Sequence, residues 1–223
     1  MKKAAKCDFA PYLAEFVATL VFAFIGAGSY FNNFDGVAIA AAHGFTIFIM
    51  VAATAKVSGG HINPAVTWAM VVRGFYRGKH VVIDNKHKFE PEFTFMKGLG
   101  YIAAQLAGAA CGSAILLGLV HHMDGGRAAA DAVSFGTPSL THGLDTLGGF
   151  LLEMIFGCIL VFVILRTAIE DKYSWAPFAI GMTVFVLALV GGPLTGAAMN
   201  PARWFGPALV SGTWDNAVLY IAA

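Results

Sequence analysis

Ser58-Gly59-Gly60-His61-Ile62-Asn63-Pro64-Ala65-Val66 decides the fold, because the chain repeats it as Thr195-Gly196-Ala197-Ala198-Met199-Asn200-Pro201-Ala202-Arg203. In each copy a run of small residues leads into Asn and then Pro. Asn caps the first free backbone N–H groups of a helix, and Pro, with its fixed φ and missing N–H, fits the first helical position. Helices are therefore expected to start at Asn63 and Asn200. Each stays apolar for only about ten residues, to Val72 and Val210, whereas a bilayer crossing takes about 20. Such helices can enter a membrane without spanning it.

The chain of 223 residues is 58% hydrophobic and 12% charged, with a mean hydropathy of +0.71. That composition, with apolar runs long enough to span, excludes a water-soluble globule and indicates a polytopic protein in a lipid bilayer. A net charge of +1 with no basic stripe sets nucleic acid aside. Cys7, Cys111 and Cys158 are odd in number and widely spaced, which indicates neither a disulfide framework nor a metal site, and nothing calls for a cofactor. The amino-terminal lysines resemble those of a signal peptide, but the apolar run behind them is long enough to span and has no clear cleavage site. It is read as a retained first helix.

Apolar run length places spans at about 11–31, 37–55, 94–120, 148–168, 175–192 and from about 216 onward. The last run stops at Ala223 after about half the length of a crossing, so the sixth span is expected to be cut short. Counting loops puts Lys2, Lys3, Lys6, Lys56, Arg73, Arg77, Lys79, Lys86, Lys88, Lys97, Arg166 and Lys172 on one side, and leaves only Arg127 and Arg203 elsewhere. By the positive-inside rule both termini are then cytoplasmic.

The upstream residues repeat as well. Gly44-Phe45-Thr46-Ile47-Phe48 begins 19 residues before Asn63, and Gly181-Met182-Thr183-Val184-Phe185 begins 19 before Asn200. Glu15 precedes Asn63 by 48 residues and Glu153 precedes Asn200 by 47. The division expected is a first repeat over 1–120 with a half-helix at 63–73, an extracytoplasmic connection over 121–147, and a second repeat over 148–223 with a half-helix at 200–210. Three spans per repeat turn the second copy upside down, so the half-helices should enter from opposite sides and meet near the midplane. Irregular backbone at that depth is tolerated where it is buried in protein or lines water. A pore accounts for it most simply.

The boxes Asn63-Pro64-Ala65 and Asn200-Pro201-Ala202-Arg203, a Glu in the first span of each half, and Gln105-Leu106-Ala107-Gly108 resemble the aquaporins of the major intrinsic protein family over nearly the whole chain. The resemblance implies an all-α membrane protein of six transmembrane helices and two re-entrant half-helices in two inverted repeats, assembled as a homotetramer with one pore per subunit. It also implies a passive channel for water and small neutral solutes and not an enzyme. Physically, two half-helix N-termini at one point repel cations through free N–H groups and the macrodipole. The Asn63 and Asn200 amides would turn a passing water's oxygen toward them and interrupt a proton wire.

By spacing, His43, Ala188, Ala197 and Arg203 resemble the family's four filter positions. Arg203 would oppose cations and offer donors to a neutral solute. Water-only channels usually carry an aromatic residue in the place of His43. The combination His-Ala-Ala-Arg is similar to the plant tonoplast branch, whose members often pass ammonia, and His142 resembles an additional filter histidine of that branch. The vacuole-type membrane is not distinguished from the plasma membrane on these grounds. A strict water channel and a glycerol or urea facilitator stand as alternatives.

Glu15 and Glu153 could be a proton-coupling pair, but are read as braces that accept hydrogen bonds from the re-entrant loops, with His61 a further brace. An ion-coupled transporter can also have inverted repeats, yet would need another intramembrane acid. A membrane enzyme would need a nucleophile with its base, and Ser58, His61 and Cys158 have no recognised spacing for one. The cluster His121, His122 and Asp124 is read as loop surface and not as a metal site. Arg77 to Pro91 exceeds the usual aquaporin connection at this place. It is read as a solvated tether, with a gate or a segment for anionic lipid headgroups as the alternative.

Overall fold

Most of the long helices begin where the sequence supplies a cap. In the computed structural model, which describes residues 9–31, 35–83, 86–90 and 92–223 and only the backbone of 80–83 and 86–90, Asp35 caps α2 (Gly36–Thr54), Thr94 caps α4 (Phe95–Val120) and Asp145 caps α6 (Thr146–Ile164). Each of these side chains accepts a hydrogen bond from a backbone N–H three residues on. Helices α1 (Ala10–Gly28) and α7 (Ala176–Thr195) start on a proline in the first turn instead. The short helices α3 (Pro64–Tyr76) and α8 (Pro201–Ser211) have both devices. Lys2, Lys3, Lys6, Cys7, Asp84 and Pro91 lie outside the described residues.

Five described helices are long and apolar enough to cross a membrane: α1, α2, α4, α6 with its widened continuation Leu165–Glu170, and α7. At the place of the sixth expected span stands α9 (Ala217–Ala222). Two stretches hold elements that were not foreseen. The connection between the halves folds into α5 (Gly126–Ala132) and a single 3₁₀ turn at Ser134–Gly136. The stretch read as a tether contains an antiparallel pair, β1 (Lys79–Ile83) with β2 (Lys86–Glu90), an addition to an otherwise helical chain.

Two close crossings hold the bundle together. Helices α2 and α7 meet at Gly44 and Gly181: a Cβ on Gly44 would lie 2.7 Å from the Gly181 carbonyl oxygen, and one on Gly181 would lie 2.6 Å from the Gly44 carbonyl oxygen. Helix α4 lays Gly108 and Gly112 on the backbone of α1 at Phe16 and Leu20, with no room for a side chain at either glycine. The small-residue stripe of α4 therefore serves packing within the subunit. Ion pairs gather at one end of the bundle, where Arg73 on α3 reaches Glu92 at 2.7 Å and Glu170 at 3.1 Å, and Arg166 reaches Asp171 at 2.9 Å. Arg127 on α5 pairs with Asp131 and also donates to the Val210 carbonyl at the C-terminal end of α8.

The outer faces are apolar. Leu13, Val17 and Ile25 on α1, Ile115 and Leu119 on α4, Leu151, Ile155 and Ile159 on α6, and Val186 and Val190 on α7 are all exposed. Contiguous aliphatic surface on helices of membrane length identifies hydrocarbon as the surrounding solvent. The chain is an integral, multi-pass membrane protein.

Candidate functional site

The two Asn-Pro turns abut. Asn63 Oδ1 accepts from the Ala65 N–H at 2.8 Å, and Asn200 Oδ1 accepts from Ala202 at 2.9 Å and Arg203 at 3.3 Å, so each amide oxygen caps its own helix. Each amide nitrogen then crosses to the other turn: Asn63 Nδ2 donates to the Met199 carbonyl at 2.8 Å, and Asn200 Nδ2 donates to the Ile62 carbonyl at 3.0 Å. An amide nitrogen carries two hydrogens. One is used in the crossing, and the second remains on each Asn.

Both turns are held in unusual backbone. Ile62 (φ 56°) and Met199 (φ 51°), each directly before its Asn, lie in the left-handed region, as do Gly60 (φ 63°) and Ala197 (φ 45°), each three residues before it. A β-branched residue with positive φ costs of order 1–3 kcal/mol and persists only where its surroundings hold it. Here a buried carboxylate holds each turn. Glu15 accepts from the Ser58 hydroxyl (2.6 Å), the His61 and Ile62 N–H groups (2.9 and 2.7 Å) and Gln105 Nε2 (2.8 Å). Glu153 accepts from the Thr195 hydroxyl and from the Ala198 and Met199 N–H groups at 2.9 and 2.6 Å.

A tyrosine completes each bracket. The Tyr101 hydroxyl donates to the Ser58 carbonyl at 2.8 Å, and the Tyr220 hydroxyl donates to the Thr195 carbonyl at 2.6 Å. The sequence reading missed this pair. Tyr101 lies 38 residues after Asn63 whereas Tyr220 lies 20 after Asn200. The β hairpin over 79–90 accounts for most of the difference between the two spacings. His61 sits beside its bracket, with Nδ1 3.1 Å from the Thr67 hydroxyl and its ring against Tyr101 and Phe93.

A cavity of about 270 Å³ runs past the seam between the two turns. It follows α2 from Gly36 to Val51, about 22 Å at 1.5 Å per residue. Its wall is mostly aliphatic, including Ile47, Val66, Leu160 and Val184. The polar side chains in it are few: Asn63, Asn200, His61, His43, Arg203 and Tyr30. Ala188 and Ala197 also line it. Pro64, Ala65 and Pro201 line a separate cavity beside α6, and Ala202, Glu15 and Glu153 are buried outside this one. No carboxylate among the described residues lines the cavity. His142 is exposed on the loop before α6 and is not brought to the other candidates.

Arg203 is 4% exposed and has no carboxylate partner among the described residues. Its guanidinium is tethered by neutral acceptors: Nη2 donates to the Tyr30 hydroxyl at 3.1 Å and Nη1 to the Gly136 carbonyl at 3.5 Å. His43 places Nδ1 2.8 Å from the Ile39 carbonyl. A carbonyl only accepts, so Nδ1 carries the hydrogen and Nε2 of the neutral ring is an acceptor. Nε2 has no hydrogen-bond partner among the described residues. The ring lies edge-on to Phe22 and Tyr30 and close over Gly26, where a Cβ would stand 2.7 Å from Nε2.

Tyr30 was not singled out from the sequence, although a signal existed. Glu15, Thr19, Phe22 and Gly26 are spaced by four, three and four residues and are all buried, which marks the inward stripe of α1. The alternation continues to Ser29, also buried, and Tyr30 adjoins it four residues after Gly26, in the turn that follows α1.

The sequence profile of the major intrinsic protein family matches residues 3–83 and 88–223. Among curated proteins, the chain is 35% identical to "Probable aquaporin TIP2-2" of Oryza sativa subsp. japonica and 36% identical to "Aquaporin TIP2-1" of Arabidopsis thaliana, in each case over 94% of this chain and 79% of the relative. Among solved structures, the aquaglyceroporin from Plasmodium falciparum superposes with a TM-score of 0.75 at 22% identity, covering 95% of this chain and 88% of the other. That likeness is one of fold.

Proposed function

The chain belongs to the major intrinsic protein family, the aquaporins, and on that premise we propose that it passes water and ammonia by diffusion while excluding protons and ions. The family is one of passive channels for water and small solutes. The observation that carries the finer reading is the set of polar groups on one aliphatic cavity: two Asn amides, His43 and an unneutralised Arg203.

Each Asn amide has one hydrogen left after the crossing bond, and both flank the cavity at the N-terminal ends of α3 and α8. A water molecule there turns its oxygen to the two donors, so its own hydrogens point away along the pore and the hydrogen-bonded wire loses its direction. The partial positive charge of two helix N-termini adds to the cost of a cation. Arg203 adds a full charge that no carboxylate among the described residues offsets.

The ammonia reading rests on His43, Ala188 and Ala197. Ammonia is a small neutral solute, and His43 lines the cavity together with Arg203, Ala188 and Ala197, the two alanines leaving width beside the Arg203 donors. His142 adds nothing to this argument from its exposed position. Ion coupling finds no support, because Glu15 and Glu153 are occupied by loop donors and stand outside the cavity. The segregation of basic residues supports cytoplasmic termini, and family membership supports a homotetramer.

Stopped-flow recording on proteoliposomes loaded with a pH dye tests this. Osmotic shrinkage and internal alkalinisation after an ammonium jump should both exceed those of empty liposomes. Fast shrinkage with alkalinisation at the empty-liposome rate would leave a water channel and overturn the ammonia assignment.

A further inference from the structure

We propose that the turn after α1 supplies a fifth wall of the constriction through Tyr30, which sets its selectivity both by occupying width and by orienting Arg203; this rests on the reading of His43, Ala188, Ala197 and Arg203 as the filter. Four observations converge on this side chain. Tyr30 lines the same cavity as those residues. Its hydroxyl accepts from Arg203 Nη2 at 3.1 Å, which leaves the hydroxyl hydrogen free to donate. Its ring stands edge-on to His43 with centroids 6.3 Å apart and planes at 82°. Gly136 presses on its other side, where a Cβ would fall 2.8 Å from Tyr30 Cδ2.

The arrangement gives Tyr30 two separable effects. Arg203 is a long side chain with no anionic partner, and what restrains its guanidinium is the Tyr30 hydroxyl and the Gly136 carbonyl. Gly136 is at φ 68° and backs the Tyr30 ring, so both restraints belong to one packed unit. Removing the hydroxyl leaves the ring's width in place and frees Nη2. Removing the ring opens the space between His43 and the 3₁₀ turn. Tyr30 thus positions Arg203 through its oxygen and excludes solutes through its ring.

The test is a mutant cycle in proteoliposomes, with water, ammonia and urea fluxes measured for wild type, Tyr30→Phe, Arg203→Val and the double variant, and for Tyr30→Ala. Tyr30→Phe should raise the urea-to-water ratio about two- to threefold in the presence of Arg203 and leave it unchanged in Arg203→Val, since contacting residues couple whereas independent ones add. Tyr30→Ala should raise that ratio further than Tyr30→Phe. Equal shifts by Tyr30→Phe with and without Arg203, or wild-type ratios in Tyr30→Phe, would overturn the proposal. If Tyr30→Ala fails to fold, the cycle with Tyr30→Phe still decides. A wild type no faster than empty liposomes in any flux would instead remove the channel reading on which the proposal stands.

Discussion

Gly26 shows how much a single absent atom can matter. The His43 ring lies over it, and a Cβ there would stand 2.7 Å from Nε2, inside contact distance. Since Nδ1 is fastened to the Ile39 carbonyl, the ring's escape is toward the cavity. Gly26→Ala should therefore lower water flux severalfold. Gly28→Ala, two residues on, would place its Cβ 3.7 Å from Leu116, an ordinary contact, and should leave flux unchanged. Stopped-flow shrinkage of the two variants side by side checks this, and equal fluxes would contradict the placing of His43. At this scale the sequence was legible where chemistry is local. Asn before Pro announces a cap, and a Glu inside a span announces a buried partner. It was not legible for Tyr30, whose importance comes from Arg203 and Gly136, far away in the chain. Nor was it for Tyr101 and Tyr220, whose shared task is hidden by unequal spacing.

At the scale of elements, the crossing of α2 and α7 is a reciprocal constraint between the two halves of the chain. Gly44 and Gly181 are each seated against the other's carbonyl, and the Cβ of a Val at Gly44 would also meet the Phe185 backbone nitrogen at 2.9 Å. Gly44→Val should force the helices apart, with a loss of stability of about 1–3 kcal/mol for overpacking, read as a lower unfolding temperature in detergent. Gly36, where a Cβ would meet nothing within 4 Å, is the matched control and should tolerate Ala. The boundaries of α3 and α8 were legible from their caps, and α3 merely runs on to Tyr76. The hairpin of β1 and β2 was not, because strand pairing is a non-local event and the stretch carries as many charges as a solvated tether would. Helix α5 was missed for another reason. Its seven residues make about two turns, too brief a period to recognise.

For the whole molecule, the distribution of exposure is reversed from that of a soluble protein: aliphatic side chains face outward on the long helices, and the buried polar groups gather on the two turns and the cavity. Cys111 on α4 and Cys158 on α6 are exposed, yet they belong to spans. In proteoliposomes both should resist a charged, membrane-impermeant thiol reagent and react with an apolar maleimide. Labelling by the charged reagent at rates typical of a free thiol in water would place these faces outside the hydrocarbon. The overall architecture was the most legible scale of all, since run length, charge segregation and a doubled motif are properties of the chain as a whole.

The crossed bonds between Asn63 and Met199 and between Asn200 and Ile62 also bear on how the protein is made. A ribosome delivers the first turn long before the second, so the Asn63 amide and the Ile62 carbonyl wait in the bilayer without the groups that will meet them. The pore's midpoint cannot exist in either half alone. It closes only after residue 200 has been made, since each turn supplies one donor and one carbonyl of the crossed pair.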